Sequence, residues 1–401
     1  MKRLIFKVFE LLLGTQRAFL SLLARLLFVS RNTAIAPRTI LVLRTGGLGD
    51  FLFAVPSMVV LRRTFPSSKI VVLTTSSTHR SKQQHVEAYV GGNNWYPWLD
   101  FIMPHIVDAA LVFRYTTAGF LWKEIRPEIR KLDPDVTFIL AHPAEQFSNL
   151  ARKLLFLRFV GVRRNVYGWR TRATEAYMRK TQYKAGLYPH KIMGPLRSIA
   201  EYPLIPVLDE TDIAFNLNVD PKARRFAEEQ WNLHKWSGRK VIGFSPGAMF
   251  SHKTWPLENY IELGRHLLLD PDVVLIALGA PEDRHLGQIM CNVLGQNCVN
   301  FIGEINLSQA AAVLQRTTLL IANDVGATHL ATAVGCRCVT IRAGFEYPGT
   351  EPWFSRNAVA RNPVPCSPCY SYWYCPLGHE KCIKDIPVWS VLALVKQSLY
   401  S

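Results

Sequence analysis

Lys240-Val241-Ile242-Gly243-Phe244-Ser245-Pro246-Gly247-Ala248 reads as a buried strand running into a tight turn, and the chain after it repeats that statement. A helical pattern follows over Leu257 to Leu269, then a strand over Val273 to Leu278 and a helix over Glu282 to Val293. Leu307 to Arg316 reads as a helix, Leu319 to Ala322 as a strand, Gly326 to Ala333 as a helix and Cys338 to Ile341 as a strand. Short apolar runs alternating with amphipathic segments predict a doubly wound parallel α/β sheet. Working back toward the N-terminus, Thr39 to Arg44 and Lys69 to Thr75 are strand-like, with a helix predicted over Phe51 to Thr64 between them. Asp135 to Leu140 is a further strand, followed by a helix over Asn149 to Phe159. Two such units are expected, with the boundary in the irregular Lys180 to Asp212 stretch and a shared cleft between them as the ligand site. A helix is predicted to close the chain from Pro387 to Tyr400.

A length of 401 residues suits two α/β domains better than one core, and 49% hydrophobic residues supply both cores. Lys and Arg exceed Asp and Glu, 47 to 30, for a net charge of +17, which favours anionic partners. The cations are dispersed, and neither zinc-finger spacing nor an RNA-binding aromatic signature accompanies them, so nucleic acid is set aside. Near the N-terminus, Arg3, Lys7, Glu10, Gly14, Arg17, Ser21 and Arg25 recur at spacings of three and four, making one polar stripe on an otherwise apolar helix. Its charges interrupt every apolar run before the roughly 18 to 20 residues a membrane span needs. They also break the apolar centre of a signal peptide, despite Ala34-Ile35-Ala36. The stripe predicts an amphipathic helix lying on an anionic membrane surface; the alternative is an extra helix packed on the protein itself.

The chemistry concentrates in three places. Thr45-Gly46-Gly47-Leu48-Gly49-Asp50 is neither a dinucleotide fingerprint nor a Walker loop. Gly46, Gly47 and Gly49 give a turn that another molecule can approach closely, and Asp50 opens a helix as either a cap or a general base. Lys253, in Ser251-His252-Lys253-Thr254-Trp255-Pro256, is placed to face a pyrophosphate or else is a surface lysine. Asp324 precedes a helix whose first turn holds Gly326, an anion site by its free N–H groups and dipole. There Asp324 is read as a partner of sugar hydroxyls or a cap, and His329 as a packed supporting residue. Glu282 either accepts from ribose hydroxyls or is a solvated first-turn glutamate. The Asp133-Pro134-Asp135 and Asp270-Pro271-Asp272 triplets read as helix-to-strand turns rather than metal sites. Of eight cysteines, Cys366, Cys369, Cys375 and Cys382 fall close together, which suits a structural zinc or iron, two disulfides or free thiols.

These residues resemble glycosyltransferase family 9, the group of ADP-heptose:lipopolysaccharide heptosyltransferases. The markers are the Gly46-Gly47-Leu48-Gly49-Asp50 loop, the Pro246-Gly247-Ala248 turn with Lys253-Thr254-Trp255-Pro256, the Asp324-x-Gly326-x-x-His329 motif and the late cysteines. The resemblance spans about residues 39 to 395. It implies a GT-B fold, two Rossmann-like domains facing across a cleft, preceded here by the amphipathic helix. The expected division is 1–36 for that helix, 37–215 for the acceptor domain, 216–385 for the nucleotide-sugar domain and 386–401 for a closing helix. It implies Asp50 as catalytic base, and Ser245, Gly247, Lys253, Glu282, Asp324, Gly326 and Ala327 as donor contacts. The implied reaction is inverting and needs no catalytic metal, moving a sugar such as heptose from ADP-heptose to a lipopolysaccharide-type glycolipid or oligosaccharide. The implied location is the inner face of the cytoplasmic membrane. A nucleotide-sugar epimerase and a non-catalytic membrane-associated module of the same fold are the competing readings. Residues 1–36 and a Trp- and Tyr-rich insertion over Gly91 to Trp122 depart from the simplest family pattern.

Overall fold

In the computed structural model of the protein, the described residues are 15, 18–29, 35–75, 97–113, 115–116, 119–120, 122–141, 147–169, 190–344, 349–353, 357–369, 371 and 374–400. They form two units, Met1–Asn216 and Leu217–Ser401. The first contains β1 (Thr39–Leu43), β2 (Lys69–Thr75), β3 (Ala109–Phe113), β4 (Tyr115–Thr116), β5 (Gly119–Phe120), β6 (Val136–Ile139) and β7 (Val166–Tyr167). Its main sheet is parallel throughout, in the order β3-β2-β1-β6-β7, with β4 and β5 a separate antiparallel pair. The second contains β8 (Lys240–Ser245), β9 (Val273–Ala277), β10 (Cys298–Asn300), β11 (Leu319–Asn323), β12 (Arg337–Ile341) and β13 (Ala358–Ala360). They run parallel in the order β10-β9-β8-β11-β12-β13. All five residues of β9 and of β11 are buried, as parallel strands covered on both faces must be, which is why their sequences are unbroken apolar runs.

Each sheet starts at a central strand, builds outward one way, then crosses back to its other side. The reversal falls between β1 and β6 in the first unit and between β8 and β11 in the second. Beyond the carboxyl ends of the strands at such a switch point, ligands bind in open α/β sheets. Asp50 follows β1, Gly247 follows β8 and Asp324 follows β11.

Three sequence expectations are modified. The helix expected over Phe51 to Thr64 is two helices, Leu48–Leu52 and Val55–Thr64, with Pro56 in the first turn of the second, where its missing N–H is harmless. The Gly91 to Trp122 stretch is not wholly an insertion, because it supplies β3, the edge strand paired with β2. Its residues 91–96 lie outside the described ones. The N-terminal helix, described over residues 18–27, is docked: Leu20, Ala24 and Phe28 are buried in the first unit's core with Leu154 and Leu157. Most of the predicted polar stripe falls on residues 1–14 and 16–17, outside the described ones.

The two Asp-Pro-Asp triplets act as turns. Asp135 accepts from the Arg38 and Thr39 N–H groups at 2.9 and 3.0 Å, fixing the start of β1, and Asp133 pairs with Arg164. Asp270 accepts from Lys240 Nζ at 2.8 Å and from the Asp272 N–H at 2.9 Å, and these bonds hold its carboxyl below the usual range. The Val388–Tyr400 helix buries Val388, Val391 and Val395 in the second unit's core.

Candidate active site

In the first unit the glycine loop is shaped around Asp50. Gly46 has φ +133, and a Cβ there would lie 2.7 Å from the Asp50 Cβ, so both backbone and space require glycine. Gly47 caps the Leu48–Leu52 helix through its extended backbone, with Gly49 and Asp50 in the first turn. The N-cap residue, Gly47, makes no side-chain cap hydrogen bond. The Asp50 carboxylate meets two cations. Lys191 Nζ donates to Asp50 Oδ1 at 2.6 Å, and Arg44 Nη2 lies 3.6 Å from the same oxygen. Arg44 is buried, and its guanidinium also donates to the Asp50 carbonyl at 2.9 Å and the Leu140 carbonyl at 2.7 Å, clamping the loop to the end of β6. Lys191 lies 5.2 Å over the Phe53 ring, which His190 meets edge-on at 5.5 Å. The arrangement is a half-exposed carboxylate oriented by two cations. Sequence reading missed Lys191 because it stands 141 residues from its partner.

In the second unit a buried amide organises the loops. Asn323 ends β11 with no exposure; its Nδ2 donates to the Pro246 carbonyl at 2.7 Å and its Oδ1 accepts from the Trp255 N–H at 3.1 Å. Trp255, also fully buried, donates its indole N–H to the Ile386 carbonyl at 2.9 Å. The turn after β8 and the Lys253 loop are thus tied to the end of β11. Ser245 is the last, buried residue of β8, and its carbonyl accepts from the Tyr260 hydroxyl at 3.4 Å. Burial pushes the Tyr260 phenol far above its ordinary range. Lys253 ends the short Ser251–Lys253 turn and is half-buried, while its neighbour His252 is buried and stacked on Phe250.

Gly247 lies so near the Pro281–Asp283 turn that a Cβ would come 1.9 Å from Asp283 Oδ2, so Asp283 faces the β8 turn while Glu282 is exposed beside it. The Gly326–Ala333 helix is capped by the extended backbone of Val325 and has no side-chain cap, with Gly326 and Ala327 as its first residues. One Asp324 oxygen lies 3.6 Å from His329 Nε2 and the other 3.2 Å from Arg342 Nε. Arg342 is 1% exposed; it reaches Glu351 Oε1 at 2.6 Å, and Glu351 also pairs with Arg361. The sequence reading gave Asp324 to sugar hydroxyls or a cap and missed Arg342, which orients it.

The late cysteines diverge from the expected metal cage. Among the described residues no group of three or more His, Cys, Asp or Glu side chains is arranged to hold a metal. Cys366 lies 3.6 Å from His379 Nε2. The Glu380 backbone N–H, opposed by desolvation and joined by the N–H groups of Leu377, Gly378 and His379, holds the Cys375 thiol below its usual range. Burial pushes Cys382 up. Cys366, Cys369, Cys375 and Cys382 are free thiols here, and they lie near enough to one another that the charges of the other three add to burial in raising Cys382. The disulfide joins Cys291 to Cys298 instead.

The profile of glycosyltransferase family 9 (heptosyltransferase) matches residues 157–376, more than half of the chain. The chain belongs to glycosyltransferase family 9. Lipopolysaccharide heptosyltransferase 2 of Escherichia coli is 31% identical over 150 residues, 36% of this chain and 42% of that protein. Lipooligosaccharide heptosyltransferase 2 of Campylobacter jejuni is 27% identical over 167 residues, 41% of this chain and 52% of its own. The chain thus spans about half the length of the curated relatives it matches. The ADP-heptose lipopolysaccharide heptosyltransferase II of E. coli superposes with a TM-score of 0.62 at 20% identity, over 90% of this chain and 98% of that one. A glycosyltransferase family 9 structure from Veillonella parvula gives 0.67 at 16%, over 93% and 99%. These two show that this family 9 member has the same fold.

Proposed function

We propose that this family 9 chain is an inverting glycosyltransferase that moves heptose from ADP-heptose to a hydroxyl of a lipopolysaccharide-type glycolipid. The observation that carries the reading is the pair of sites at sheet switch points. One presents a cation-held carboxylate, Asp50; the other has Lys253 after β8 and Asp324 with the Gly326 helix start after β11. In the proposed reaction the acceptor hydroxyl attacks the anomeric carbon as Asp50 takes its proton. The bond to the diphosphate breaks, and the charge left on the nucleotide is met by Lys253 and the N–H groups of Gly326 and Ala327. Ser245 and Gly247 shape the turn against the donor, Glu282 accepts from its ribose and Asp324 from the sugar. No step is assigned to a metal ion. The heptosyltransferase 2 relatives support heptose as the sugar and lipopolysaccharide as the acceptor. The proposed place of action is the inner face of the cytoplasmic membrane. The test is transfer from ADP-heptose, UDP-sugars and GDP-sugars to a lipopolysaccharide core acceptor, with thermal shift reporting donor binding. Asp50→Ala should abolish transfer and still be stabilised by the donor. Full turnover in that variant overturns the base assignment, and absence of any nucleotide-sugar shift overturns the function.

A further inference from the structure

The helix over residues 18–27, with Phe28 and Val29 after it, is apolar on two opposite faces. Leu20, Ala24 and Phe28 enter the core, whereas Phe19, Leu22, Leu26 and Val29 are exposed, at 53%, 57%, 74% and 64%. At about 100° per residue the two sets lie on opposite sides of the helix. The Phe147–Val160 helix repeats the plan, burying Leu150, Leu154 and Leu157 in the same core and exposing Leu155 and Phe159. The chain segments just after the two helices meet, where Val29 pairs with Arg164 and its N–H donates to the Arg163 carbonyl at 2.9 Å.

Single exposed leucines are ordinary on a soluble protein; a row at helical spacing on each of two joined helices is not. Its charge is one-sided as well. Arg25, Arg152, Arg158 and Arg163 are exposed on these segments, and residues 15–29 and 147–164 contain no Asp or Glu. Apolar side chains bordered by arginine, with no acid on either segment and Asp133 paired to Arg164 beside them, fit the boundary between acyl chains and anionic headgroups. A second copy fits poorly, because a two-fold contact would set these arginines against their own equivalents. Among the described residues no helix is long and apolar enough to cross a membrane, so the face would lie on the surface.

We propose that the outer faces of these two helices form a docking surface for an anionic lipid bilayer. The docking surface deepens the proposed function and rests on it for the membrane-borne acceptor, but its test needs neither substrate.

The full chain is sedimented with vesicles of phosphatidylglycerol and phosphatidylethanolamine, and with vesicles of phosphatidylcholine alone. Wild type should pellet with the anionic vesicles. Leu22→Gln/Leu26→Gln should lower the partition coefficient at least about tenfold, since apolar burial supplies much of the binding. Arg152→Gln/Arg158→Gln should lower it about tenfold on anionic vesicles and leave neutral vesicles unaffected. Both pairs are exposed, so thermal midpoints should hold within a degree or so, by the near-neutrality of surface substitutions. Transfer to a water-soluble, deacylated acceptor should also hold. The proposal is overturned if wild type stays in the supernatant, if the leucine pair pellets like wild type, or if wild type is a dimer that this pair turns into a monomer. Vesicle binding without transfer from any sugar donor would sink the proposed function and leave the docking surface standing; transfer without vesicle binding would do the reverse.

Discussion

Replacing Arg342 by methionine isolates what holds Asp324 in place. The Arg342 side chain is 2% exposed and bridges Asp324, 8% exposed, to Glu351, 18% exposed. Methionine fills much of the same volume but leaves two poorly hydrated carboxylates without the cation between them. Removing one partner of a buried ion pair costs about 3–5 kcal/mol, chiefly through the charge left behind. Arg361 still holds Glu351 from a more exposed position, so the lower end, about 3 kcal/mol, is expected. For a unit of this size that is a fall of about 6–12 °C in the unfolding midpoint of Leu217–Ser401. Scanning calorimetry of the full chain, with urea unfolding followed by tryptophan fluorescence, measures it. Adding Asp324→Asn to the methionine variant should return about 1–2 kcal/mol, since one stranded charge is then gone. A loss below about 1 kcal/mol for Arg342→Met, or no recovery in the double variant, would refute the reasoning, because the carboxylates would then be held by something else.

Lys191→Met should lower kcat about fivefold, the equivalent of about 1 kcal/mol once solvent screening of the half-exposed Asp50 is allowed for, with partial rescue by Lys191→Arg. Unchanged kinetics in Lys191→Met would remove it from the site. Burial, then the charges of Tyr167 and Asp135, raises the Tyr202 phenol to about 12 from 10.0. A group whose pKa is raised by folding stabilises in full below its unfolded value, so the first unit should lose stability as pH climbs from 10 to 12. Tyr202→Phe should flatten that alkaline slope, and an identical slope would dismiss the assignment. Among the late thiols, Cys375 should be alkylated by iodoacetamide at lower pH than Cys382, whose burial disfavours the thiolate. Mass spectrometry of partly labelled chain reads the order, and Cys382 reacting first would contradict it.

The second sheet was legible because a parallel strand covered on both faces is written as an unbroken apolar run. β9 and β11 carry no polar residue before Asn323, and the Leu307–Arg316 and Gly326–Ala333 helices begin and end where the pattern places them. β3 was harder to read, since Trp95, Trp98 and the surrounding tyrosines drew attention to composition rather than to the Ala109–Phe113 run. The N-terminal helix showed its polar residues in sequence, but only packing reveals that one apolar side is taken by the core and the other is not. At the site, positions that follow strands could be found by counting. Their partners could not: Lys191 reaches Asp50 across a long excursion of chain, and Arg342, directly after an apolar run, looks like a strand end meeting water. For the late cysteines, nearness in sequence did become nearness in space, since the other three raise Cys382 through their charges; the backbone N–H groups that stabilise Cys375 could not be read from spacing.

Asn323 has a consequence for how such a protein diversifies. One side-chain amide spans two segments, so neither the Pro246 turn nor the approach to Trp255 is free to change length or course alone. Aspartate there would lose the donor to Pro246, and leucine would strand a carbonyl and an N–H out of reach of water. Change would therefore have to come around this knot, in neighbours such as Glu282 and the outer turn that carries it, while the knot itself is inherited whole.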